Sequence, residues 1–395
     1  MRSAVIVDAV RTGTGKGKPG GGLSGVHAVE LLRQTLEGLV DRAGIDPGTV
    51  EDVMIGCVSQ YGEQAACPGR IAWLGAGFPP HVPATTIDRR CGSGQQAVHF
   101  AAQSIMAGSH DVVIAGGVEV MSRVPMGSAR GTADVFGESI QRRYAPGLVS
   151  QGISAELVAA KWGITRDEMD AYSIASHERA AEARATGHFA REIIPVDLMD
   201  GSGSTFDHDE TIRPGTSMER LSELPTVFRT EADEARFPEI TWSVTPGNSS
   251  QLADGASALL ITSEDYAQRM GLSPRARIAA MSVVGDDPIL MLTGPIAATR
   301  VVLERSGLSV DDIDAAEVNE AFASVPLAWQ REFGFPMERL NPRGGAIALG
   351  HPLGASGTRI MTTLLNHLES TGGRYGLQTM CEGSGMANAT IIERI

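Results

Sequence analysis

Four short segments scattered along 395 residues carry side chains suited to acyl transfer through sulfur. Arg89–Arg90–Cys91–Gly92–Ser93–Gly94 offers a thiol, and Asn319–Glu320–Ala321–Phe322 an amide. Gly350–His351–Pro352–Leu353–Gly354 offers an imidazole, and Cys381–Glu382–Gly383–Ser384–Gly385 a second thiol. Cys91 follows the extended stretch ATTID and precedes a helix-compatible run along Ala97, Ala101 and Ile105, with Gly108 as its stop. A thiol at a helix N-terminus faces unpaired N–H groups and the positive end of the dipole, so thiolate is expected there, with Arg89 and Arg90 adding to it. Such activation is needed, because an ordinary thiol, with a pKa near ~8.5, is mostly protonated at neutral pH. Gly92 and Gly94 are expected to let backbone and ligand approach closely.

His351 lies between glycine and proline ahead of a helix with Ile360, Leu364 and Leu368 on one stripe, a setting that fits a positioned base or hydrogen-bond donor. Asn319 closes the strand-like AAEV and precedes a helix, where capping is the simplest role for an asparagine. Cys381 follows the strand LQTM. A second thiol has no place in simple acyl transfer. It makes sense if a proton must be taken from the α-carbon of a second thioester opposite an acylated Cys91.

The elements that must position these groups alternate. Strand-like runs at 4–8, 53–58, 112–116, 257–262, 276–284, 314–318, 376–380 and 388–393 are separated by helical patterns at 26–43, 95–107, 154–186, 295–306, 322–333 and 356–369. This alternation predicts α/β layering. From about Met121 to Thr245 regular strands give way to polar, charged and glycine-rich stretches such as DGSGSTFDHDET. A segment this long is expected to be functional or a subdomain of its own. The apolar positions of its 154–186 helix, Leu157, Val158, Met169, Tyr172 and Ile174, read as packing.

Composition sets outer limits. The length exceeds what a single core fills, so two or more packed units are expected. A formal charge of −14 argues against non-specific nucleic-acid binding, which needs a basic surface. No apolar run approaches the ~20 residues of a membrane span, and Met1–Ser3 lead straight into Ala4–Val7 without a secretory signal, so a cytoplasmic protein is expected. The four cysteines form no CxxC pair. Cys57, in VMIGCV, reads as a buried inert thiol, and Cys67 suggests no role. No His–Cys–carboxylate cluster has ligand spacing and no nucleotide-fingerprint glycine pattern follows a strand, so no metal or tightly bound cofactor is expected.

A chain with all four motifs in this order closely resembles the thiolase family, the acyl-CoA acyltransferases, over essentially its full length. The resemblance implies two duplicated βαβαβαββ halves in a five-layer α-β-α-β-α arrangement, residues 1–120 with 246–272 and residues 273–395. An inserted loop domain at 121–245 would cover the active site. It implies Cys91 as nucleophile, His351 as its activator, and Cys381 as the base for the second substrate. Asn319 would hold a water that forms an oxyanion hole with His351, and the Gly383 N–H would share a second hole with that of Cys91. Coenzyme A would be a substrate. Thr245–Pro246–Gly247–Asn248–Ser249–Ser250, followed by Asp254–Gly255–Ala256, resembles the CoA-side loop, with Ser250 at the pantetheine contact. Asp209–Glu210 followed by Arg213 resembles the segment whose arginine meets the nucleotide end, and Met291 falls at a pocket-lining methionine. Ser384 replaces a common glycine, which is expected to leave the backbone undisturbed. Asp88 and Gln95–Gln96 depart from the family pattern at positions that bear on substrate preference. CGSGQQA and the ending TIIERI resemble actinobacterial thiolases of steroid or fatty-acid breakdown. A homodimer or homotetramer is implied. The alternatives are a ketoacyl synthase, which usually pairs its cysteine with two histidines, and a non-catalytic acyl-CoA or sterol carrier, against which the intact thiols and imidazole speak.

Overall fold

The computed structural model describes residues 2–395. Its first half runs β1 (Ala4–Thr12), α1 (Ala28–Ala43), β2 (Asp52–Gly56), α2 (Pro68–Gly75), β3 (Ala84–Ile87), α3 (Ser93–Met106) and β4 (Val112–Val120). After an insertion the chain returns as β5 (Ala253–Ser263), between β1 and β4. The second half runs β6 (Ala276–Gly285), α6 (Gly294–Ser306), β7 (Ala315–Val318), α7 (Ser324–Phe333), α8 (Leu353–Thr371), β8 (Tyr375–Glu382) and β9 (Met386–Arg394). The insertion contributes α4 (Gln151–Trp162) and α5 (Arg166–Ala185), with short strands and one-turn helices around them.

Strand order shows the duplication that the family resemblance implies. The first half reads β3-β2-β4-β5-β1 and the second β7-β8-β9-β6. In both, the two inner pairs have the same sense, β2–β4 and β7–β8 parallel, β4–β5 and β8–β9 antiparallel. The counterpart of β3 survives as one parallel bridge between Ala316 and Leu340. The halves are also joined edge to edge, because β1 pairs antiparallel with β6 at Val5–Arg277 and Ile6–Ala276.

Period-two alternation makes the layers. In β4, Ile114 and Val118 face the core against α1 and α2, while Val113 and Ala115 face the core shared by α3 and α8. In β5, Ala258 and Leu260 take the first face and Leu259 and Ile261 the second. A third core packs α6 and α7 on the second half-sheet. Five layers follow, with α3 and α8 in the middle. Each fully buried aliphatic side chain contributes roughly 1.5–3 kcal/mol to holding them together.

The helix expected over 154–186 is two helices. Gly163 ends α4 at φ 61°, and Thr165 opens α5 with a capping box to Glu168. The apolar periodicity runs across the break because both helices pack on the same core beside α7. Asp254–Gly255–Ala256 is strand, not loop. Asp254 is buried at the start of β5 and accepts the N–H and hydroxyl of Ser122, at 2.8 and 2.5 Å.

Candidate active site

The duplicated halves place the site residues at equivalent points. Cys91 lies two residues before α3 and His351 two residues before α8. Cys57 and Asn319 are the first residues after β2 and β7. Gly117 pairs with Gly56 and Thr379 with Val318, so two residues further on Glu119 and Cys381 also correspond. Cys91 packs with Leu353 at the start of α8 and with Met380 before Cys381. Cys91, His351, Asn319 and Cys381 all meet there, each at most 5% exposed.

Close approach of α3 and α8 brings together the segments that carry Cys91 and His351, and glycine permits it. A Cβ on Gly357 would lie 2.1 Å from the Gln95 nitrogen, and one on Gly94 2.7 Å from the Gly354 carbonyl oxygen. Gly94 therefore lets backbone approach closely, as the sequence suggested, and Gly92 makes room for the Glu382 side chain. Gln95, one of the departures from family pattern, turns inward and donates to Thr390 Oγ1 at 2.7 Å, so its work is packing.

Burial decides the resting protonation. It pushes the Cys91 thiol up, with Cys381 and Glu382 adding to it, contrary to the thiolate expected from the helix N-terminus. Arg90 is of little help, since it is exposed and pairs with Asp88 at 3.6 Å. Cys381 is pushed up to about 12 by burial, although the Asn319 side chain and the Ala321 N–H pull the other way. His351 is pulled down to about 3 by burial and by Arg359, so its ring is neutral. Cys57 is buried, as read from the sequence, and burial raises its thiol.

The His351 tautomer follows from its partners. Ser356 donates its one hydroxyl hydrogen to the Pro352 carbonyl at 2.9 Å, so its oxygen must accept from His351 Nδ1–H at 2.6 Å. That leaves the Nε2 lone pair directed into the site, 3.5 Å from Asn319 Nδ2. Asn319 does not cap α7, which begins five residues later. Its Oδ1 is buried without a partner among the described residues.

Two residues that sequence reasoning passed over hold this geometry. Glu320 accepts from Tyr172, Ser176, Asn341 and the Ile347 N–H at 2.8–3.1 Å, tying α5 to the loops that carry Asn319 and His351. Gln251 accepts the His351 N–H on its carbonyl at 2.9 Å, while its side-chain oxygen accepts from Arg213 at 2.7 Å. An acid inside the NEAF motif was the only signal available for Glu320, and Gln251 carried none.

The remaining expected contacts fall around this centre unevenly. The Ser250 N–H donates to Ala321 and half-buried Ser250 borders the Asn319 loop. Met291 is buried in one cluster with Cys381, Phe322 and Val244. Arg213 is exposed on a cleft with His177, Glu178 and Thr216. Asp209 is structural, accepting both terminal nitrogens of buried Arg11 at 2.7 and 3.0 Å, and Glu210 accepts the Lys16 and Gly22 N–H groups. The Gly383 turn is tighter than expected. Ser384 sits at φ 71°, in the left-handed region that favours glycine, so serine there costs backbone strain of about 1 kcal/mol.

Comparison with known proteins agrees with this architecture. Residues 4–265 match the family described as thiolase, N-terminal domain, and residues 272–394 match thiolase, C-terminal domain. The chain is 48% identical to the steroid 3-ketoacyl-CoA thiolase FadA6 of Mycobacterium tuberculosis, covering all of this chain and 95% of the relative. It is 44% identical to the beta-ketoadipyl-CoA thiolase of Escherichia coli and 42% identical to the 3-ketoacyl-CoA thiolase of Aliivibrio fischeri, over the full length of each. The chain belongs to the thiolase family.

Proposed function

We propose that this thiolase cleaves 3-ketoacyl-CoA with CoA to acetyl-CoA and a shortened acyl-CoA, and runs the reverse condensation, through an acyl group carried on Cys91. The observation that carries this reading is two buried thiols beside a neutral imidazole whose free lone pair faces the site. His351 Nε2 takes the Cys91 proton as sulfur attacks the keto carbon. The Cα–Cβ bond breaks, Cys381 gives its proton to the departing acetyl-CoA enolate, and acyl-Cys91 remains. CoA then gives its thiol proton to Cys381 and attacks the acyl group, and Cys91 leaves to recover its proton from His351. Protons balance over the cycle with no outside donor.

Negative charge develops on two oxygens. The imidazolium with a water held by Asn319 would meet one, and the Cys91 and Gly383 N–H groups the other. Each such donor is worth roughly 3–4 kcal/mol in the transition state. Ser250 and Met291 would line the pantetheine and acyl side, and Arg213 the nucleotide end. For the acyl group we favour 3-ketoacyl-CoA esters of the kind named for the relatives, with a steroid 3-ketoacyl-CoA included because of the 48% relative. A homodimer or homotetramer is supported by β3, which among the described residues pairs only with β2 and leaves its other edge open. Four free cysteines suit a reducing cytoplasm, and no helix among the described residues is long and apolar enough to cross a membrane.

Acyl labelling tests the two thiols separately. With acetyl-CoA, the mass shift should fall on the Cys91 peptide and vanish in Cys91→Ala. Cys381→Ala should still take the acyl group but lose carbon–carbon cleavage on a panel of acetoacetyl-, medium-chain, long-chain and steroid 3-ketoacyl-CoAs. Label elsewhere than Cys91, or near-normal thiolysis by the Cys381 variant, would sink the respective assignment.

A further inference from the structure

Glu119 and Glu382 are both fully buried acids next to the site, and their surroundings differ in kind. Glu119 accepts four hydrogen bonds, from the Val58, Ser59 and Gly354 N–H groups and from Gln64, at 2.8–3.0 Å. Neither carboxyl oxygen of Glu382 has a partner among the described residues. Its Oε1 lies directly under the turn that follows Cys91, where a Cβ on Gly92 would come within 1.9 Å of it. Asn388 Nδ2, which also borders Gly92, donates to the Gly92 carbonyl at 3.1 Å. A carboxylate without donors in such a place is far costlier than the protonated acid.

We propose that Glu382 is a positioning residue of the acyl-transfer step, its carboxyl setting the charge that Cys91 and Cys381 feel and thereby the alkaline limit of the nucleophile. Burial raises this acid to about 8, with Arg89 lowering it and Asp88 raising it. Its negative charge acts on both thiols, and Glu119 and Cys381 add to the charge facing Cys91. His351, just before α8, is neutral throughout this range. Below pH 8 Glu382 is a neutral acid and Cys91 can yield its proton to His351. Above it, a carboxylate beneath Gly92 opposes every thiolate the cycle needs.

The inference rests on Cys91 as nucleophile, but its test does not need turnover. Iodoacetamide alkylation of the Cys91 peptide, read by mass spectrometry from pH 6 to 10, reports thiolate directly. An isolated thiol reacts about tenfold faster per pH unit below its pKa. In the wild type this rise should flatten above pH 8. In Glu382→Gln, which keeps the shape and cannot ionise, it should continue, so the variant-to-wild-type ratio grows about tenfold by pH 9.5. Thiolysis should lose its alkaline fall in the same variant. A ratio that does not change with pH overturns the proposal, whatever happens to thiolysis. A changing ratio in a protein whose Cys91→Ala variant still cleaves substrate would overturn the nucleophile assignment instead. Should Glu382→Gln fail to fold, Arg89→Gln carries the test: with the lowering charge gone, the break in the wild-type profile should move to higher pH, and an unmoved break overturns the idea.

Discussion

The site works through the state of single groups, and the imidazole is the most constrained of them. Ser356 fixes which nitrogen of His351 carries the proton by accepting from Nδ1–H while donating to Pro352. Ser356→Ala removes the acceptor and leaves a buried N–H unpaired, which frees the ring to turn or to switch tautomer. Expected is a fall in kcat of about tenfold or more, in keeping with the 10²–10⁴ worth of a positioned base, with KM for CoA little changed. A variant that keeps kcat and raises KM would show that Ser356 shapes a binding surface instead. Charge at Cys91 runs opposite to what its sequence context implied, because loss of solvent outweighs the helix N-terminus.

At the scale of elements, the reaction depends on how closely two helix N-termini approach. α3 and α8 cross at glycines, and the Cβ of an alanine at 357 would overlap the Gln95 backbone at 2.1 Å. Backbone cannot rotate away as a side chain can, so Gly357→Ala must part the helices. Expected is a loss of stability of about 1–3 kcal/mol from overpacking, with activity falling further than the unfolded fraction explains. Denaturant midpoints and kcat on the folded fraction measure the two effects, and full specific activity in a folded Gly357→Ala would show that the crossing does not position the site. Glu320 acts at this scale also, holding α5 of the insertion to the loops of Asn319 and His351.

For the whole molecule, buried titratable groups shape stability against pH. His99 and His351 are held down to about 3, and His177 and His367 to about 4, in each case by burial first and then by nearby arginine. Unfolded, each would bind a proton near pH 6.5, so the unfolded state holds more protons below that point. Their contribution is present above pH 6.5 and is lost as pH falls toward 3–4. Glu317 and Glu382, raised to about 8 by burial, act in the other sense, and their contribution is lost as pH rises from about 4.5 to 8. His99, away from the reacting thiols and bonded to Thr390 at 2.7 Å, isolates one of these groups. Relative to wild type, His99→Gln should gain about 1.4 kcal/mol per pH unit below 6.5, or roughly 2 kcal/mol at pH 5. Denaturant titrations at pH 7 and pH 5 measure this, and a variant offset that is the same at both would mean that His99 is protonated in the folded state.

Much of this protein was legible in its residues. The strand runs survive because β4 and β5 are apolar on both faces, as strands buried between layers must be. Three of the motifs were legible because a reactive group close to glycine or proline marks a turn that something must need, and Asn319 because it stands between a strand and a helix. Local sequence could not show that Gly163 divides one apolar stripe into two helices, nor that Ser384 stands at a positive φ. Glu320, Gln251, Ser356 and Glu382 were equally out of reach, since their partners lie far off in the chain or depend on which face turns inward. The sequence by itself determined which chemical groups are present, their order, and the layering that carries them. Tertiary structure alone decided their protonation and their partners, because both depend on how much water and how many donors remain around a group, and packing across the two halves sets that.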